Sequence, residues 1–536
     1  MRRRRAVVLP AIVVAAAIAA GCASAASSTR SAGPTDAATT VVPPSSTTGA
    51  VPTSTTEAVT TTTVLPTTTA DDGFAAQLPA GTQHLHYTFG PITIAAGQNN
   101  IAYSMTSVAK PAEDGYILRI SSNLVRADGS VPPVDVVHLH HGVWLNLSAK
   151  DTSDPRLPER FFAVGEEKTS TELPSGYGYR YHASDQWFIN YMLHDLTDEP
   201  DKVWITYDLD FVPLSSTSAT NIEPVRPVWL DVQNGSIYPV FDVIQGSGTN
   251  GAFTYPDQAK APYGSGPALN QWTVDTDGVL VATGGHLHPG GLHDDLSVQR
   301  GAKQAHLFRS DATYFEPAGA VSWDVAMGVT DPSWKVSVRK GDVLSVSTTY
   351  DSSRASWYES MGIMVVWMAT GGSGTDPFAT KVDTPGHITH GHLAENDHHG
   401  GQKVTLPDPS TFAPQPAASP IGILDFLYSQ GDFNKPNGLP VVKRGNTITF
   451  TNNEPTVAPG IWHTITACKA PCNAETGIAF PIADGPIAFD SGQLGLGGPP
   501  TANRLSWTTP ATLPPGTYTY FCRIHPFMRG AFQVTS

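Results

Sequence analysis

Charged side chains are scarce in this chain of 536 residues: they make up 15% of it, and 32 Lys and Arg face 47 Asp and Glu, for a formal net charge of -15. A balance of that sign argues against nucleic acid as a partner. Cysteine is rarer still, with four in all and none in residues 73–420, so stability there must come from packing alone. Sustained helical periodicity is lacking too. From about residue 76 onward the sequence runs in short alternating apolar and polar stretches, rich in aromatics and broken by Gly, Pro and Asn, the pattern of antiparallel strands. The length is too great for a single core and calls for about three folded units once the non-folding parts are set aside.

The one apolar run of note, residues 6–20, follows four arginines and is too short to span a bilayer as a permanent helix. It is expected to be a secretory signal. The AAGC stretch ending at Cys22 resembles a bacterial lipobox, which implies that residues 1–22 are a lipoprotein signal peptide and that Cys22 is lipidated. Residues 23–75 are dominated by Ser, Thr, Pro and Ala, with too few large apolar groups to offset the entropy of ordering. The expectation is a flexible stalk on a lipid anchor, holding the remainder at the extracytoplasmic face of a membrane.

What is present in excess is histidine, 18 residues, many of them clustered. Clustered imidazoles point to metal chemistry. Outside the cell Cys468 and Cys472, close together in CKAPC, are expected to form a disulfide, and Cys522 is left as an odd thiol that needs a reason to stay reduced. Copper ligation is such a reason. In PPGTYTYFCRIHPFMRGAFQV a strand ends at Cys522 and a short loop carries His525 and Met528 before the last strand. A blue-copper site needs two imidazoles, a thiolate and a weak axial thioether, and His463 in WHTIT is the candidate for the second imidazole.

Residues 421–536 thus resemble the small bacterial cupredoxins of the amicyanin and pseudoazurin type. The resemblance implies a Greek-key β-sandwich and one type 1 copper held by His463, Cys522, His525 and Met528. Multicopper oxidases and copper nitrite reductases carry a His directly before the ligand Cys, to reach a second copper. Here that residue is Phe521, as in a mononuclear electron carrier.

Residues 76–372 are long enough for two sandwiches, 76–213 and 214–372. In VVHLHHGVWLN, alternation puts His138 and His140 on one face and His141 on the other, so the three cannot meet one ion without a bulge. WFINYMLHDL carries His194 late in a strand, VATGGHLHPGG carries His286 and His288 two apart on one face, and RASWYESMGIMVVWMA offers Met361 and Met364. These segments, in this order, remotely resemble the type II copper, ascorbate-dependent monooxygenases of the peptidylglycine monooxygenase family. Carried over by position, the resemblance implies a first copper on His140, His141 and His194, with His138 an open alternative to His140. It implies a second, oxygen-activating copper on His286, His288 and Met361, with Met364 open beside Met361, each copper in its own sandwich. The family's grips on a peptide carboxylate fall on Gly284, Ile363 and Val365, which cannot hold one.

A histidine-rich stretch within residues 373–420, bearing His387, His390, His392, His398 and His399, is expected to be a mobile linker that binds copper loosely or merely tethers. The expected whole is an all-β, exported, membrane-anchored redox protein with one type 1 and two type II coppers, supplied by an external reductant or redox partner. The alternative is a copper-binding electron-transfer lipoprotein without catalysis. Oligomeric state and substrate are left open.

Overall fold

The computed structural model describes residues 78–98, 101–103, 108–134, 136–232, 240–256, 270–315, 324–393, 407–456, 461–468, 487–496 and 504–536. The expected signal, lipidated Cys22 and stalk, the Cys468–Cys472 pairing, and His398 and His399 lie outside the described residues. All described residues fall within one compact unit, Ala58–Ser536. Its regular structure is β-strand apart from short 3-10 turns, the all-β class expected from the alternation.

In the first sandwich, strands Gln83–Ile94, Asp201–Pro213, Gly115–Arg126 and Tyr177–Tyr181 face a four-stranded sheet of Ile101–Tyr103, Trp187–Asp195, Val137–Lys150 and Pro158–Val164. Large aromatics fill the space between them: Trp144, Phe161, Phe162, Tyr181, Trp187, Tyr207 and Phe211 are all 1% exposed or less. Phe161 and Tyr179 stack with centroids 5.2 Å apart. Burial of such side chains is worth roughly 1.5–3 kcal/mol each, so a cysteine-free domain can hold itself together.

The larger sheet does not stop at the expected boundary near residue 213. Tyr177–Tyr181 pairs in parallel with Glu223–Asp231, which pairs with Gly362–Ala369, which pairs with Gly278–Leu287. The second sandwich is therefore hydrogen-bonded to the first. Its own core gathers Phe241, Tyr255, Leu296, Phe308, Trp334, Tyr350, Trp357 and Met364.

The C-terminal sandwich has a six-stranded sheet, Pro414–Pro416, Leu439–Lys443, Arg529–Thr535, Gly516–Phe521, Thr466–Cys468 and Ile487–Asp490, against a four-stranded one. It begins earlier than residue 421, because Pro414–Pro416 pairs with Leu439–Lys443. The expected linker is also ordered at its front. His387–Ile388 adds a strand to Val325–Val329, Thr389 Oγ1 donates to Glu167 O at 3.3 Å, and His392 Nδ1 lies 2.9 Å from Asp324. His387, His390 and His392 are thus part of a strap over the second sandwich, not a loose chelating tether: backbone pairing outweighs the polar composition of the segment.

Candidate metal centres

Strand Gly516–Phe521 delivers Cys522 into the C-terminal core. The loop after it is closed by two backbone bonds, Cys522 N to Met528 O at 3.0 Å and Met528 N to His525 O at 2.9 Å. His463 reaches the same point from an isolated bridge with Leu494, whose carbonyl is held by Asn452 Nδ2 at 2.7 Å. His463 Nδ1 and His525 Nδ1 are 3.1 Å apart, and each is 3.7 Å from Cys522 Sγ. With metal–nitrogen bonds of about 2.0 Å and a metal–sulfur bond of about 2.3 Å, those separations suit one ion shared in a near-trigonal plane.

All four side chains, Met528 included, are 0% exposed. Burial alone would raise the Cys522 thiol. His463 and the amides of Thr464 and His525 outweigh it, so the thiol sits below its ordinary value. The Thr464 amide donates to Sγ at 3.3 Å. A soft thiolate, two imidazoles and a buried thioether fit copper better than the other common divalent ions. Phe521, directly before Cys522, is buried and pairs across to Thr466 and Arg529.

The second assembly lies where the first two sandwiches meet. Strands Val137–Lys150 and Trp187–Asp195 pair His138 with His194 and His141 with Met192, and the register slips between Leu139 and His141. His140 is the extra residue, and the slip is the kind of bulge that alternation demanded; among the described residues, though, only His463, Cys522 and His525 bring three donor atoms within 4.8 Å of one another. Ring centroids are 5.1 Å apart for His138 and His194, 6.0 Å for His138 and His140, 5.9 Å for His140 and His141, and 4.4 Å for His140 and His288. His286 Nε2 and His288 Nε2 are 3.3 Å apart, the spacing of two nitrogens on one tetrahedral ion.

Backbone carbonyls orient the rings. His138 Nδ1 donates to Val134 O and His288 Nδ1 to Glu359 O, both at 2.6 Å, and His194 Nε2 donates to Ile524 O at 3.1 Å. His286 Nδ1 meets Glu167 Oε1 at 3.0 Å. These are the outer bonds that fix ring orientation in metal-binding histidines. Burial first, and neighbouring imidazoles second, hold His138, His140 and His288 well below the ordinary histidine value. Burial brings His141 down to about 3 and His194 to about 4. Neutral imidazole, the ligating form, is the state these five take at neutral pH.

The two histidine sets expected in separate sandwiches lie in contact, the ring centroids of His140 and His288 4.4 Å apart. His140 and His141 from one sandwich and His286 and His288 from the other form a continuous array, because the shared sheet draws the two faces together. His138 and His140 both belong to it. Of the two methionines, Met364 pairs with Gly285 and is packed in the second core, whereas Met361 joins Trp229, Val240 and Ile363 at the interface. Pairing of His286 with Ile363 and Leu287 with Gly362 continues toward His288 and Met361. The Tyr350 hydroxyl accepts from both of their amides, at 2.9 Å and 3.2 Å, and donates to Met361 O at 2.7 Å.

Sequence reasoning missed Glu167 and Tyr350. The acidic pair Glu166–Glu167 at a strand end was a visible signal for the first; nothing local marks Tyr350.

Beside His286 and Glu167 opens a cavity of about 310 Å³, lined by Phe162, Leu173, Ile363, Val365 and Trp367 and bordered by the His387–Ile388 strap. Gly284 also lines it, as do Arg119, Glu172, Ser170 and several threonines, so the three positions that lack carboxylate grips share one space of mixed polarity.

No protein-family model and no curated protein matches the sequence. Among solved structures, a reduced-state amicyanin mutant aligns over 25% of this chain and 99% of its own, at 25% identity and a TM-score of 0.13. The copper-containing nitrite reductase of Thermus scotoductus SA-01 aligns over 49% of this chain and 59% of its own, at 15% identity and a TM-score of 0.15. A viral major capsid protein aligns over 54% and 97%, at 8% identity and a TM-score of 0.24. Likenesses this distant do not bear on chemistry, whereas the donor geometry does.

Proposed function

We propose that this protein is an exported, membrane-anchored copper oxidoreductase, in which a blue-copper cupredoxin exchanges electrons with a type II copper site that oxidises a small substrate in monooxygenase fashion. The observation that carries the copper-redox part is the convergence of His463, Cys522 and His525 on one point, with Met528 buried in the same core. Copper bound in the histidine array would supply one-electron redox chemistry and oxygen activation. His140, His141, His194, His286 and His288, with His138 among them, offer the imidazoles, and Met361 the soft donor that favours the cuprous state. Glu167 holds the ring of His286, and the adjoining cavity, with Arg119 and several hydroxyls among its apolar walls, suits a compact substrate with both polar and apolar parts. A lipid on Cys22 and the stalk would keep the assembly outside the cell, where a diffusible reductant or redox protein reaches it.

Gly284, Ile363 and Val365 in the cavity wall favour a second reading, a copper-binding electron-transfer lipoprotein that has no peptide substrate. Metal analysis with electron paramagnetic resonance separates the two. The oxidase reading expects one blue centre and type II copper in the same chain, with oxygen uptake under a reductant that falls in Met361→Ala. A single copper per chain, or equal uptake by both proteins, removes it.

A further inference from the structure

An electron carrier that serves a diffusing partner must leave an edge of its metal site at the surface, because electron exchange falls steeply with distance. Here that edge is closed. His525 is 0% exposed, its Nε2 donates to Gly97 O of the first sandwich at 2.8 Å, and Phe426 packs on its ring at 5.0 Å. The next carbonyl back along the loop, Ile524 O, accepts from His194 Nε2 at 3.1 Å, and the His194 and His525 rings are 6.4 Å apart.

Arg523, 1% exposed, completes the seal. Its Nη1 donates to Ser356 O at 2.6 Å and to Asp490 at 2.7 Å, and its guanidinium lies over the rings of Trp357 and Tyr358. Three consecutive residues after the thiolate therefore hold on to the two other sandwiches. His194 in turn stands 5.1 Å from His138, at one end of the histidine array.

We propose that the loop of residues 522–528 is a built-in electron-transfer junction, docked through Ile524 O and His525 onto His194 and Gly97, so that electrons pass inside the chain between the cupredoxin copper and the histidine array. This rests on the proposed copper content of both sites. One electron moves per event: a cuprous ion at one site becomes cupric, a cupric ion at the other becomes cuprous, and no proton or ligand is transferred. An external one-electron reductant recharges the pair.

The test uses the full copper-loaded chain. A photogenerated one-electron reductant is pulsed in, and the blue thiolate absorption and the type II resonance are followed together. Redistribution between the two signals at a rate independent of protein concentration is expected. Gly97 has φ +64°, and a Cβ there would run into Phe426 Cε1 and lie 3.1 Å from His525 Cδ2, so Gly97→Val should part the junction without replacing a donor. Because electron exchange falls steeply with distance, a slower redistribution than in wild type, with both copper signals intact, is the expected result. A wild-type rate proportional to protein concentration overturns the junction, as does an unslowed Gly97→Val. Absence of the type II signal from the resting protein is a separate outcome that instead refutes the copper content.

Discussion

The imidazole of His140, from the first sandwich, meets that of His288, from the second, edge to face with centroids 4.4 Å apart. Two histidines 148 residues apart in sequence can hold that contact only if the sheets carrying them are locked together. The continuous pairing through Glu223–Asp231 and Gly362–Ala369 does so. Any change that parts the sandwiches should therefore disturb the copper proposed for the array before it disturbs the His463, Cys522 and His525 cluster.

Gly165 tests this. A Cβ there would lie 2.8 Å from His140 O, 2.5 Å from Glu167 Oε2 and 3.0 Å from His286 Cε1. Gly165→Ala is expected to cost about 1–3 kcal/mol through overpacking and to lower type II copper while the blue absorption stays. Copper analysis and chemical denaturation of the same preparation read both effects.

In the C-terminal sandwich, on the proposed copper content, Cys522→Ala should abolish the blue absorption and remove one copper per chain, leaving type II signals in place. Met528→Leu should keep a blue centre with a raised reduction potential, since the axial thioether is a tuning ligand rather than an essential one. Spectroelectrochemistry distinguishes the two variants; an unchanged potential in Met528→Leu would remove Met528 from the donor set.

Glu159 predicts a pH effect away from the metal centres. Burial pushes its carboxyl up from 4.5 to about 7, against the lowering effect of the hydrogen bond from Tyr179, with Asp151 and Asp185 adding to the rise. A carboxyl raised in the folded state contributes stability that is fully present below pH 4.5 and is lost as pH climbs through about 7. At about 1.4 kcal/mol per pH unit, the loss is on the order of 3 kcal/mol. Glu159→Gln should remove that fall, so its melting temperature should decline less than wild type between pH 5 and pH 8.

Val365 faces the cavity and pairs across to Gly284. Small neutral molecules that raise the melting temperature of the copper-loaded protein, as a ligand for the native state must, should lose that effect in Val365→Trp with copper content unchanged. A retained shift would mean binding elsewhere.

The sequence alone determined the all-β class, because alternation of apolar and polar residues is a local property of each strand. It also placed Cys522, His525 and Met528 together as candidate donors on one loop, since they are separated by only a few residues. Which side of a strand a histidine faces depends on partner register, and there local pattern stops being sufficient. Only the slip between Leu139 and His141 sets His138 opposite His194 and His141 opposite Met192 with His140 between them, and only the pairing of Gly362–Ala369 sends Met364 into a core and Met361 to the interface. The ordering of the His387–Ile388 strap, the role of Glu167, and the docking of His525 on Gly97 were likewise decided by tertiary structure. Each is a contact between residues far apart in the chain, stabilised by the burial of whole sheets rather than by any motif around the residues themselves.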